Sequence, residues 1–188
     1  MSKSANKILI TAESLFNLHS FTSVGVDLIR DESGCSKTTM YTYFKNKQQL
    51  VAEVLKKRDL QFRDSLTNFI GDSQGVIAIE KIYDWHINWF QTDEFKGCLF
   101  VRAVAESEKN DLEIKKICID HKNWLRELML QYTYPISQDQ ILGEMIYNLI
   151  EGSISRFLVE GFDTQSAQQQ KLFIIKLLEM NKCCYIKY

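Results

Sequence analysis

Residues 34–47 read Gly34-Cys35-Ser36-Lys37-Thr38-Thr39-Met40-Tyr41-Thr42-Tyr43-Phe44-Lys45-Asn46-Lys47. A glycine able to adopt the left-handed conformation is followed by a serine able to cap a new helix. A short helix through Phe44 then places Met40 and Phe44 four residues apart on its inner face. Its outer face receives Lys37, Thr38 and Thr42. This is the pattern of a tight turn and the second helix of a helix-turn-helix, the element that enters the major groove of DNA. Lysine can donate to guanine, and threonine offers a hydroxyl together with a methyl suited to thymine. Tyr43 and Lys47 fit phosphate oxygens better, and Lys47 stands near a helix start where free N–H groups favour an anion.

Working outward, Ile8, Ala12, Leu15 and Phe16 recur at helical spacing and predict a helix from about Ala5 to Leu18. A second helix is expected from about Val24 to Ser33, with Val26, Ile29 and Leu28 inward, Ser23 as its cap and Gly34 ending it. Leu50, Val51, Val54, Leu55 and Phe62 predict a long helix from Lys47 to about Ile70. Gly71–Gly75 breaks the pattern. Further helices are expected at 76–91, 99–107, 112–132, 137–160 and 166–184. The predicted fold class is therefore all-α. A three-helix helix-turn-helix domain occupies 1–47, and a helical ligand-binding and dimerisation bundle occupies 48–188. The helix of about 47–70 links them.

Composition agrees with a helical globular chain. The 188 residues include one proline and eight glycines, and 45% are hydrophobic. Net charge is −1, which argues against a uniformly basic nucleic-acid binder. Residues 1–60 nonetheless hold nine Lys and Arg against six Asp and Glu, and the remainder is acidic. That asymmetry points to DNA at one end only. No signal-peptide pattern and no apolar run near the ~18 residues of a membrane span occurs, so a cytoplasmic protein is expected. Cys35, Cys98, Cys118, Cys183 and Cys184 form no CxxC pair and no zinc-like spacing with His19, His86 or His121, and read as buried thiols. No metal site and no cofactor is expected. GxSxG, HExxH, glycine-rich phosphate loops and DxDxDG are absent, which weighs against an enzyme.

The last two predicted helices suggest a partner. Apolar residues at 172–175, 177, 178 and 180 cover most of one helix, which therefore needs burial on two sides. The preceding helix carries Leu142, Met145, Ile146, Leu149, Ile150, Ile154, Phe157 and Leu158. Its Gly152, Ser153 and Ser155 permit close approach. An isologous four-helix homodimer face over about 138–182 is expected. Between these regions lies an aromatic-rich stretch. A mostly apolar chamber with a few polar groups is how small-molecule sites are lined. Its candidate lining is Trp85, His86, Trp89, Phe100, Arg102, His121, Trp124, Tyr147 and Glu151.

The segment Leu15-Phe16, Phe21, Val26-Asp27, Ile29, Gly34-Cys35-Ser36-Lys37, Thr39-Met40-Tyr41, Tyr43-Phe44, Lys47 and Leu50 resembles the DNA-binding domain of the TetR family of transcriptional repressors. Gly25-Val26-Asp27-Leu28-Ile29 and the later Gly97-Cys98-Leu99-Phe100 and Ala105-Glu106 resemble one subgroup of that family. The resemblance implies a homodimer on a pseudo-palindromic, double-stranded DNA operator, released when a small hydrophobic or aromatic effector enters the bundle. It also implies a DNA surface of Ser36, Lys37, Thr38, Thr39, Tyr41, Thr42, Tyr43 and Lys47. The chain departs from the family at Ser20, where glycine is usual, and at Val24, where threonine or serine is usual; Ser23 or Thr22 could substitute. Those departures motivate an alternative: a helical small-molecule-binding or adaptor module that no longer binds DNA.

Overall fold

A computed structural model describes residues 2–182. Cys183 and Cys184, and the last two residues of the helix expected over 166–184, lie outside this range. Among the described residues there are nine helices: α1 (Lys3–Leu18), α2 (Val26–Ser33), α3 (Lys37–Tyr43), α4 (Lys47–Ile70), α5 (Gly75–Phe90), α6 (Leu99–Glu106), α7 (Leu112–Ser137), α8 (Ile141–Glu160) and α9 (Thr164–Lys182). The all-α architecture is as the periodicity predicts.

By compactness the chain divides into two units. One holds the residues up to Phe62 together with Cys98–His121; the other holds Arg63–Gly97 and the described residues from Lys122 onward. This cut differs from a division at residue 47, because α6 and the start of α7 pack with the helix-turn-helix. α4 and α7 each supply residues to both units.

The first unit is built on Ile8, Leu9, Ala12 and Phe16 of α1, which are fully buried with Val24, Ile29, Val54 and Leu55. Met40 and Phe44 join this core as their spacing requires, along with Leu99, Phe100, Ala103, Ile114 and Cys118. α2 begins two residues later than expected. Val24 is buried at 0% exposure but belongs to the preceding turn. Ser23 does not cap α2: Gly25 holds that position without a side-chain bond. Instead Ser20 Oγ accepts from the Ser23 N–H at 2.9 Å and closes the turn. Leu28 is exposed rather than inward, because the core face of so short a helix is satisfied by Ile29 and Val26.

The second unit is a bundle of α5, α8, α9 and the later parts of α4 and α7. A buried polar cluster ties three of these helices. Tyr83 Oη donates to the Ala167 carbonyl at 2.9 Å, with Gln170 Oε1 at 3.0 Å. Ser153 Oγ lies 2.8 Å from the same Gln170 oxygen. Burial, aided by Asp84, pushes the Tyr83 phenol above its ordinary value, so it remains a donor. Lys171 pairs with Asp84 at 2.7 Å. α7 runs past Pro135 to Ser137, further than expected. Gly143 of α8 lies so close to α7 that a Cβ there would stand 2.8 Å from Leu130 Cδ2 and from Thr133 Oγ1.

Candidate nucleic-acid interface

The turn before α3 is made by Gly34 at φ 60°, ψ 21°, a conformation that costs glycine little. Ser36 then caps α3, its Oγ accepting from the Thr39 N–H at 3.0 Å. The Ser36 and Thr39 hydroxyls are 2.8 Å apart, so one hydrogen is shared between them. Thr42 Oγ1 donates to the Thr38 carbonyl at 2.8 Å. This spends its hydrogen and leaves its lone pairs and methyl outward. Ser36, Lys37, Thr38, Tyr41, Thr42 and Tyr43 are exposed, and Thr39 is half-buried. The two tyrosines keep 47% and 41% of their surface open. Seven of the eight sequence-derived DNA residues therefore share one short helix and its cap.

Lys47, the eighth, opens α4. The preceding turn is closed reciprocally. Asn46 Oδ1 accepts from the Gln49 N–H at 2.8 Å, and Gln49 Oε1 accepts from the Lys45 N–H at 2.7 Å. This is close to a capping box. The Asn-x-x-Gln spacing before an apolar run was the available signal for it. Lys47 lies in a cleft of about 250 Å³ shared with Phe21, Gln48, Val51 and Glu106. Partial burial lowers its pKa, and the Glu106 carboxylate opposes that shift.

Two further features of this unit escaped sequence reasoning because their partners are distant in the chain. Glu106 Oε2 accepts from the Thr22 N–H at 3.0 Å and from its hydroxyl at 3.2 Å. Arg102 donates to the carbonyls of Phe16 and Asn17. α6 thus holds the end of α1 and the turn after it. The Thr22 N–H and hydroxyl are thereby bonded to Glu106, and Val24 is buried.

The proposed chamber residues fall in separate units. In the first, His121 is buried. Its Nδ1 lies 2.8 Å from Asp59 Oδ1 and its ring stacks on Phe100 at 3.7 Å. In the second, Trp85, His86 and Trp89 form one aromatic group, with Trp85 and His86 centroids 5.1 Å apart and Trp85 and Trp89 6.2 Å apart. Arg63 lies over Trp124, and Arg126 over Tyr147, each 4.9 Å from the ring centroid. Glu151 pairs with Lys122 at 2.6 Å. Among the described residues no helix is long and apolar enough to cross a membrane.

Residues 8–54 match the family described as "Bacterial regulatory proteins, tetR family". The chain is 26% identical over 159 residues to the uncharacterised HTH-type transcriptional regulator YxaF of Bacillus subtilis (strain 168), covering 80% of this chain and 83% of that protein. Solved structures share the fold. A TetR-family transcriptional regulator from Streptomyces coelicolor, SCO4454, superposes with a TM-score of 0.83 at 20% identity over 96% of this chain and 97% of that one. A TetR regulator from Chloroflexus aurantiacus J-10-FL gives 0.81 at 15% identity, over 95% and 96%. Reduced NemR of Escherichia coli gives 0.79 at 16% identity, over 92% and 95%. With the capped helix α3 in place and the family pattern matched over the segment that carries it, residues 8–54 form a DNA-binding helix-turn-helix of the tetR family, on a chain with the fold of TetR-family transcriptional regulators.

Proposed function

We propose that the protein is a homodimeric repressor that leaves a palindromic operator when a small hydrophobic or aromatic effector binds. The observation that carries this reading is the outer face of α3. It presents a lysine, hydroxyls, methyls and two phenols to solvent, while Met40 and Phe44 anchor the helix to the core. Lys37, Thr38 and Thr42 read base edges. Ser36, Thr39, Tyr41, Tyr43 and Lys47 hold the sugar-phosphate backbone. Functionally, residues 1–47 form the reader and 48–188 the responding body, joined by α4.

The partner copy docks on α8 and α9. Met145 and Val159 of α8, with Leu172, Phe173 and Met180 of α9, are exposed apolar residues in one chain. A Cβ at Gly152 would meet nothing within 4 Å, which leaves room for a helix of the second copy. Two recognition helices then address half-sites roughly 34–36 Å apart.

The proposed effector contacts are Trp85, His86, Trp89, Trp124, Tyr147 and Glu151. An effector acts only through its differential affinity for the two shapes of the dimer, and a coupling of about 1–3 kcal/mol is typical. A gel-shift titration at fixed salt, using duplex selected by the protein from a randomised pool and a panel of aromatic compounds, tests the reading. Release of the duplex by some member of the panel is expected. A protein that selects no sequence from the pool is not an operator-binding repressor.

A further inference from the structure

Asp27 lies in the first turn of α2 and reaches across to α3. Its Oδ1 accepts from Lys37 Nζ at 3.0 Å and from Arg30 Nη1 at 2.9 Å. Asp31 takes the other side of the Arg30 guanidinium at 2.7 Å. All four side chains are well exposed, between 37% and 63%. Exposed ion pairs contribute little to stability, so the consequence of this cluster lies in where it puts charge.

A lysine ammonium is a loosely aimed point charge on a flexible stem. It carries three N–H donors. One is spent on Asp27, which fixes the ammonium beside the first turn of the recognition helix. Two remain for a base edge such as guanine O6 and N7. The cluster of Asp27, Arg30, Asp31 and Lys37 is also neutral as a whole. Unpaired, Lys37 and Arg30 would strengthen binding to phosphates of any sequence. The hydrogen bond from Lys37 holds the Asp27 carboxyl below its ordinary range, so the tether stays charged under physiological conditions.

We propose that Asp27 is a positioning residue for base discrimination: it aims Lys37 at one base pair and withholds it from phosphates. The inference rests on the reading of Lys37 as a base contact. Asp27 is not among the eight residues of the DNA surface; its carboxylate favours the first turn of α2 but would repel any phosphate near α3.

The test uses the full chain and the duplex that the wild-type protein selects from a randomised pool. Affinities are measured for that duplex, for its single-base variants, and for an unrelated duplex across a salt series. Four proteins are compared: wild type, D27A, D27N and K37Q. K37Q is expected to lose discrimination at one base pair, by roughly fivefold or more. D27A is expected to lose discrimination at that same base pair. It is also expected to bind the unrelated duplex a few times tighter, with a log–log salt slope steeper by up to about one unit. D27N, which keeps an acceptor without the charge, should fall between wild type and D27A. In K37Q the further change D27A should leave base discrimination unchanged. If D27A and D27N shift all duplexes by one common factor while K37Q is position-specific, this inference fails and the reading of Lys37 stands. If K37Q itself shows no position-specific loss, both fail.

Discussion

One oxygen at position 36 caps α3 and stands on the face proposed to meet DNA. Ser36→Ala removes the acceptor for the Thr39 N–H and is expected to cost about 1 kcal/mol, read as a shift in the denaturant midpoint. Its effect on DNA affinity should exceed that shift, because a fraying α3 loses the base contacts together. Tyr43→Phe is expected to leave the unfolding midpoint within about 0.5 kcal/mol, since the residue is exposed, and to weaken all duplexes alike. A sequence-selective loss on Tyr43→Phe would show that the phenol reads bases rather than phosphate. For Asp27 the sign of the pH dependence follows from its lowered pKa. The carboxylate's contribution is present above its unfolded value of 3.8 and is lost only as pH falls through the lower folded value. Discrimination at the Lys37 base pair should therefore be flat between about pH 6 and 9. A drop within that window would mean that another group titrates. The Ser36 cap, the Gly34 turn and the Met40–Phe44 spacing could be read from the sequence because they are local. The contact between Asp27 and Lys37 could not, since it spans ten residues and only the folded angle between two helices creates it.

Helices were readable where their periodicity was strong, and their ends were less so. Val24 reads as the start of α2 but is a buried residue of the segment before it. The helix expected to end at residue 132 continues through Pro135 to Ser137. Pro135 lacks the N–H that would bond the Gln131 carbonyl, and the helix ends two residues after it. α9 starts at Thr164 because Asp163 Oδ2 accepts from the Ser166 N–H at 2.7 Å, a capping spacing that is visible in the sequence. The close approach of α7 and α8 was not visible at all. Gly143→Ala should cost about 1–3 kcal/mol through overpacking, because the added carbon would meet the Leu130 backbone at 3.3 Å as well as two side chains. Thermal unfolding measures this; an unchanged midpoint would mean that α8 shifts freely on α7.

For the whole molecule, the proposed pairing makes opposite demands at two scales. Gly152→Ala should raise the stability of a lone chain by up to about 1 kcal/mol, since alanine favours the helix over glycine and the Cβ meets nothing within its own chain. Against a partner helix the same carbon should weaken association. Phe173→Glu, at a site 51% exposed, should leave the fold intact and yield monomers. Light scattering coupled to size exclusion measures both variants. A Phe173→Glu protein that remains dimeric would move the pairing surface away from α9.

The uncovered apolar stripe of α8 and α9 also has a consequence for gene dosage. When few copies are made, most chains would be solitary and would display Val159, Leu172, Phe173 and Met180 to chaperones and proteases. Paired species grow as the square of the number of solitary ones. Halving expression would then remove more than half of the operator-competent protein, and silencing would give way abruptly rather than in proportion.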